Sequence, residues 1–560
     1  MLIVLIVISS FVLLNFELPS FTKHYNLKHR LLYIPIAFLF LLSFTDCAKK
    51  GTPSGGLRDT IPPVIVKSSP ENYSTNFTGN EIEIRFDEFI KLKEVNKELI
   101  ISPPMKFAPI ITPLSTSKTL KIKILDTLKP NTTYSFNFGN SIVDNNEENK
   151  FEYFKYIFST GSYIDSLKLS GRVKDAQLIA PEVPTTVMLY EANETFTDSI
   201  IYSEKPTYIT VTKDSTGIFE LSNLKEGKYL LLALKEKNSD YIFQPQNDKI
   251  GFEKELITIP TDSTYTLTLF KETPSYKFVR PSQVGKNHIL FGYEGRADSL
   301  NIEMLSEVPE DYISTVFKDE KKDTLHYWFK PAIETDSLIF KITNGAIIDT
   351  ATVRMRELFK DSLNISALKT GTLKLKDTFK LRANTPLISL DAEKFEIMAK
   401  DSTLVEATVK LNKEYNWAEV FFPKKEDESY SIKLLPGALT DFFEKSNDTI
   451  LFNVKTRLSS DYGTLNLTLV NVEQFPVIVQ MLDGKYNIVA EEYITENKNV
   501  FFDALSPDKY FLRIIYDTNQ NRRWDTGSFL NRMAPEKIIY YPKQIEVRAN
   551  WSLNETFILK

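Results

Sequence analysis

Short segments in which every second residue is apolar recur along most of this 560-residue chain. Ile82, Ile84 and Phe86 alternate with charged neighbours, and so do Leu120, Ile122 and Ile124, then Tyr134, Phe136 and Phe138, then Phe154, Tyr156 and Phe158. Period-two alternation puts the apolar side chains of an extended segment on one face, while Asn, Asp, Pro and Gly between segments supply the turns. The pattern predicts an all-β fold of antiparallel sandwiches, each of about 100 residues. A domain usually takes about 100–200 residues, so a chain of this length is expected to hold several in series.

Composition narrows the chemistry. Setting aside Lys23, Lys28, Arg30, Glu17 and Asp46 of the first 46 residues leaves 65 basic against 71 acidic residues. Charge this balanced gives no nucleic-acid footprint and no polybasic membrane stripe. Glycine is scarce at 19, and neither G-x-x-x-x-G-K-[ST] nor G-x-G-x-x-G occurs. The single cysteine, Cys47, excludes a disulfide framework.

Cys47 follows two apolar stretches. Met1 to Phe16 lacks a basic lead and reads as an extension upstream of the true start, which would cover residues 1–26. Lys23, His24, Lys28, His29 and Arg30 then precede the apolar run Leu31 to Phe44. That run is too short for the ~20 apolar residues of a spanning helix and suits a secretory signal. The arrangement resembles a lipoprotein signal peptide, which implies a lipidated Cys47 as the first mature residue and a membrane partner. Phe44, Thr45 and Asp46 depart from the usual aliphatic and small residues at that junction, and the alternative is an ordinary signal or a retained anchor helix. Residues 47–62 read as a Gly/Pro/Ser-rich tether.

Asp59-Thr-Ile-Pro-Pro63, Ser69-Pro70, Ile84-Arg-Phe-Asp-Glu88, Leu128-Lys-Pro130, Thr133-Tyr134, Val143-Asp144 and Phe158-Ser-Thr160 together resemble the SbsA-type bacterial Ig-like domain. The opening from Cys47-Ala-Lys-Lys50 to Pro63 looks like Ig-like lipoproteins of Bacteroidota. Gly171-Arg-Val173, Thr216 to Leu221, Gly227-Lys-Tyr229 and Leu230 to Leu234 are similar to carboxypeptidase-regulatory or transthyretin-like sandwiches. Both patterns return. Leu224, Lys228, Tyr229 and Asn238 align without a gap on Leu505, Lys509, Tyr510 and Asn519, and Glu236, Asp240 and Phe243 on Asp517, Asn521 and Trp524. Tyr430 to Leu434, Asp441 and Phe452 to Thr456 echo the Ig-like positions. The expected order is a signal segment (1–46), the tether (47–62), an Ig-like domain (63–162), a transthyretin-like sandwich (163–272), a β module of uncertain class (273–357), a second Ig-like domain (358–457) and a second transthyretin-like sandwich (458–560), in an elongated array.

Few residues suggest chemistry. Only His288 and His326 remain after Cys47; His326 reads as a strand residue and His288 as part of a turn, so no general base stands out and no enzyme is expected. Asp87-Glu88 is the obvious carboxylate pair, with a turn or edge role preferred at a strand end. Asp517, Asn519, Asn521, Arg523 and Asp525 follow the oxygen spacing of the first part of an EF-hand loop, which would hold Ca²⁺ weakly, although Arg522 replaces Gly and Ser528 the closing Glu. The alternative is a hairpin whose Asp and Asn side chains bond the local backbone. No other cofactor is called for.

Asp-Ser or Asp-Thr followed by an aliphatic residue or Ala recurs around Thr60, Thr127, Ser166, Ser199, Ser299, Thr324, Ser337, Thr350, Ser362 and Thr449. These are turns that start strands, or they resemble O-glycosylation sites of exported Bacteroidota proteins; both readings can hold at once. The functional expectation is a non-enzymatic envelope lipoprotein, on the periplasmic side of the outer membrane rather than the cell surface, serving as spacer and scaffold for an envelope protein or glycan partner. The alternative is an envelope carbohydrate-binding or carbohydrate-processing protein using Asp/Glu and exposed aromatics.

Overall fold

The computed structural model describes residues 59–559 apart from 213, 298 and 360. Residues 62–560 form one compact unit, and its described part is almost entirely strand and turn. Its sheets fall into five groups along the chain, and each has its own apolar core.

In the first group, Glu81–Leu92 pairs antiparallel with Ile65–Ser69 and Ser117–Lys123, and Thr133–Asn137 and Lys155–Ser159 lie in a facing sheet. The alternation is realised directly: Ile82, Ile84 and Phe86 are buried, with Glu81, Glu83 and Arg85 exposed between them. Each such fully buried side chain contributes about 1.5–3 kcal/mol. Tyr134 marks the corner of this sandwich, its hydroxyl accepting from the Lys129 backbone N–H at 2.9 Å. A hydroxyl so bonded to backbone a few residues upstream ties a loop to a strand, as in the tyrosine corner of Ig-type sandwiches. Thr160 Oγ1 donates to Lys129 O at 2.7 Å and accepts from the Thr132 N–H at 3.0 Å.

The fourth group, between Ile365 and Lys455, repeats this wiring. Tyr430 accepts from the Lys425 N–H at 2.6 Å, Thr456 Oγ1 donates to Lys425 O at 2.6 Å, and Thr456 Oγ1 accepts from Glu428 at 3.0 Å. Asp144 and Asp441, the two aspartates of the repeat, each collect backbone N–H groups of the turn that follows.

The second and fifth groups share one topology. In the second, Leu167–Asp175 lies between antiparallel Ile218–Leu224 and parallel Tyr265–Leu269. In the fifth, Gly463–Val470 lies between antiparallel Val500–Leu505 and parallel Ser552–Ile558. The facing sheets are built on Gly227–Lys235 and on Asp508–Tyr516. Even the register irregularity recurs, between Leu221 and Leu224 in one and between Gly463 and Leu465 in the other. Tyr229 donates to Lys225 O at 2.9 Å and Tyr510 to Ser506 O at 2.7 Å, four residues upstream in both.

The third group, which the sequence left unclassified, is a sandwich of two antiparallel sheets. Lys277–Gly285, His288–Glu294, Thr324–Lys330 and Ile313–Lys318 form one sheet, and Leu300–Met304, Ser337–Asn344 and Ile347–Arg354 the other. Phe291, Tyr327, Phe340 and Ile342 fill the space between them.

Candidate functional site

The feature that most sets this chain apart is a contact between its two transthyretin-like repeats. Leu230 to Leu234 is an unbroken apolar run, and all five residues are buried. A strand apolar on both faces must be covered on both. Leu231 and Ala233 face the sandwich core, whereas Leu230, Leu232 and Leu234 join a second cluster with Met188, Tyr190 and Ile250 on the outer face. Phe529, from the C-terminal repeat, is fully buried in that cluster.

Phe529 sits on an excursion between Asp508–Tyr516 and Ile538–Tyr540, and polar contacts fasten the excursion along its length. Thr526 Oγ1 donates to Lys271 O at 2.6 Å, and the Phe529 N–H donates to Glu272. The Arg532 guanidinium pairs with Asp198 and lies 4.9 Å over the Phe529 ring. Phe529 meets Phe252 edge-on at 5.3 Å. Gly527 passes so close that a Cβ there would stand 2.5 Å from Met533 O and 2.7 Å from the Phe270 ring. Nearby, Arg513 is buried in the C-terminal sheet, bonds Gln480 at 2.7 Å and Tyr540 at 3.1 Å, and reaches Gln177 O at 3.2 Å. Burial against this contact raises the Glu272 carboxyl above its ordinary range. Phe529, Arg532 and Arg513 were not singled out from the sequence; the doubly buried run at Leu230 to Leu234 was the available signal.

Asp517, Asn519, Asn521, Arg523 and Asp525 are brought together in the first part of the same excursion. The Asp517 carboxylate is buried and accepts the backbone N–H groups of Asn521 at 3.1 Å and Arg522 at 2.8 Å. Asn519 and Asn521 both donate side-chain amides to Asp525, and Arg296 forms an ion pair with Asp525. These partners hold the Asp525 carboxyl below its ordinary range against the cost of burial. The counterpart loop bonds alike: Glu236 accepts from the Tyr241 N–H at 2.8 Å and Asp240 from Ile242 at 3.0 Å. Among the described residues, no group of three or more His, Cys, Asp or Glu is arranged to hold a metal ion.

His288 opens a strand rather than lying in a turn, and cross-strand register sets it opposite Trp328 and diagonally beside His326. The rings stack, His288 Nε2 lies 3.0 Å from His326 Nδ1, and Trp328 stacks on His288 at 3.9 Å. Burial pushes the His288 imidazole down to about 3. Asp87 lies inside Glu81–Leu92, at its register irregularity, not at a strand end; its carboxylate accepts from the Val64 N–H at 2.8 Å, a structural bond.

Of the hydroxyl residues, Thr60, Thr127, Ser166, Ser199, Ser299, Thr350, Ser362 and Thr449 are exposed, and Thr324 and Ser337 are half-buried. Leu167, Leu300 and Ile450 open strands directly after theirs, and Thr324 and Ser337 are themselves first residues of strands. Ser199 instead lies in the 3₁₀ turn Asp198–Tyr202, and Thr350 inside a strand, so strand initiation does not account for every member. Cys47 and the segment before it lie outside the described residues. Among the described residues, no helix is long and apolar enough to cross a membrane.

The bacterial Ig-like domain family matches residues 59–160, so the chain carries a bacterial Ig-like domain. No curated protein matches the sequence. Similar solved structures include the surface layer protein SbsC, domains 1–6, at 12% identity and TM-score 0.16, covering 87% of this chain and 67% of that one. The Bacillus anthracis TIE protein aligns at 12% identity and TM-score 0.15, covering 91% and 76%. BcpA, the major pilin subunit of Bacillus cereus, aligns at 10% and 0.14, covering 70% and 99%. Likenesses at these scores carry no inference about function.

Proposed function

We propose that this chain is a non-enzymatic envelope lipoprotein of the Bacteroidota type, anchored to the outer membrane through acylated Cys47, whose β-sandwich domains serve as spacer and scaffold for an envelope partner. The proposed domains run over 63–162, 163–272, 273–357, 358–457 and 458–560. The observation that carries this reading is the architecture: a bacterial Ig-like domain heads a series of sandwiches with separate cores, and the last docks on the second through an apolar side chain. Such docking fixes the spacing of surfaces, which is what a scaffold supplies. A tether of residues 47–62 would hold this assembly off the bilayer, on the periplasmic side, since no acidic residue stands between Cys47 and Asp59.

The exposed Asp-Ser and Asp-Thr positions are the proposed glycan carriers, because a glycan needs a hydroxyl open to solvent. Fractionation of cells carrying Cys47→Ala tests the anchor. The wild type should sediment with membranes and the variant appear in the soluble periplasmic fraction, since two or three acyl chains hold a protein where one does not. Equal membrane retention of both would refute the lipid anchor. Intact mass of the exported protein tests the glycans: a mass equal to that of the chain from Cys47 plus lipid would refute them.

A further inference from the structure

The first and fourth groups close on equivalent strands, Lys155–Ser159 and Ile450–Lys455, whose outer edges differ. With Thr160 matched to Thr456 by their shared bonds, Ile157 corresponds to Asn453 and Lys155 to Leu451. In the first group the chain seals this edge itself. Ser74 bridges Phe158 in parallel, and the Tyr73 N–H donates to Ile157 O at 2.7 Å. The Asn72 side chain stands in for a further strand residue: its Oδ1 accepts from the Ile157 N–H at 2.8 Å and its Nδ2 donates to Lys155 O at 3.0 Å.

In the fourth group the sealing strand is shorter. Gly371–Thr372 pairs in parallel with Val454 and Lys455, and the Leu373 N–H donates to Lys455 O at 2.9 Å. Backbone polar groups of successive strand residues point to opposite sides, so those of Asn453 and Leu451 point the same way as those of Lys455. Lys369 stands two residues before its bridge, as Asn72 does before Ser74, but it is paired with Asp377. Among the described residues the pairing on this side ends at Val454, which leaves the Asn453 N–H and the Leu451 N–H and C=O without a strand to bond.

The side chains tell the same story. Asn453 is exposed and Leu451 is 56% exposed. Phe452, which meets core Phe379 edge-on at 5.8 Å, is only half-buried, whereas its counterpart Tyr156 is fully buried. Thr449 to Val454 holds no charged residue and no proline, the usual means of keeping a free edge from pairing. Open N–H and C=O groups at strand spacing are matched by another extended backbone, and a half-covered aromatic ring beside them by an apolar side chain on it.

We propose that the open edge of Ile450–Lys455 takes up an extended peptide strand of a partner protein, in the place that residues 72–74 fill in the first group, with an apolar side chain over Phe452. This gives the scaffold reading its contact with a partner. Binding in solution is read without the membrane anchor, so its failure would leave that reading standing.

Fluorescence anisotropy of a labelled peptide copying residues 70–77, titrated with the full chain, tests it. Saturable binding is expected, with none for a scrambled peptide. Asn453→Pro removes one open N–H without touching the ladder to Ser429–Leu434, and it should weaken binding about tenfold. Leu451→Pro, whose N–H points the same way, should do likewise. Unaltered affinity in both variants would overturn the site, as would absence of saturation at millimolar peptide. Unfolding of both variants would mean that these N–H groups are already bonded, and would overturn it too. Sedimentation of the chain alone should show a monomer; a dimer that either variant dissociates would assign the edge to a second copy and overturn the partner strand.

Discussion

The two transthyretin-like repeats have the same strand order, the same parallel pair, the same register irregularity and the same tyrosine bond, yet their loops differ, above all the one that follows the tyrosine's strand. In the second group, residues 236–248 fold back on their own sheet, with Phe243 buried in its outer cluster. In the fifth, residues 517–537 begin with equivalent hydrogen bonds and then run on, and the added length carries Phe529 into that same cluster. A repeated scaffold thus differs in what its loop reaches. The sheet supplies rigidity, and the loop supplies the partner surface.

Phe529→Ala should do the largest damage, because it empties a fully buried site shared by both repeats; a loss of about 3–5 kcal/mol in chemical denaturation is expected. A loss below about 1 kcal/mol would mean that the outer cluster does not need the arm. Tyr229→Phe and Tyr510→Phe should each cost about 1 kcal/mol, since each removes one hydroxyl bond to backbone. Clearly unequal costs would break the equivalence of the two scaffolds.

Glu272, which receives the Phe529 N–H, should make the docking pH-dependent. Its folded carboxyl titrates above the ordinary value, so the folded state binds more protons than the unfolded chain in the window between the two. Stability should therefore fall as pH rises through that window and recover as pH drops to the ordinary carboxylate range. Glu272→Gln keeps an acceptor for the N–H and should flatten this component of the profile; an unchanged profile would exclude Glu272 as its source. The smallest effect concerns the Asp517 loop. If it holds Ca²⁺ with Kd of about 10⁻⁴–10⁻³ M, millimolar Ca²⁺ should raise the Tm of the full chain slightly, and the Asp240 loop should add nothing. Identical melting with Ca²⁺ and with a chelator would leave the loop as the hydrogen-bonded hairpin its amides and Arg296 already make.

The strands were legible because their signal is local. Ile82, Ile84 and Phe86 declare a buried face without knowledge of what covers it. The repeats were legible because Tyr229 and Tyr510 do the same work at the same spacing. His288 was misplaced because Gly-Lys-Asn before it looks like a turn, whereas pairing with Thr324–Lys330 extends the strand to it. Docking was not legible, because an apolar run such as Leu230 to Leu234 says that both faces are covered and not by which residue. Phe529 lies far along the chain, in a polar loop with no periodicity to mark it.

The central claim is that the C-terminal repeat is docked on the second. Since Cys47 is the only cysteine, spin labels can be placed at the exposed Lys254→Cys and Ala534→Cys, which flank the Arg532 contact with Glu253 O without removing a docking group, in a Cys47→Ser background, and their separation measured by electron paramagnetic resonance. One narrow, short distance is expected in the otherwise native chain, broadening and lengthening when Phe529→Ala is added. A broad, long distribution before Phe529 is changed would contradict the docking and leave the repeats as independent beads.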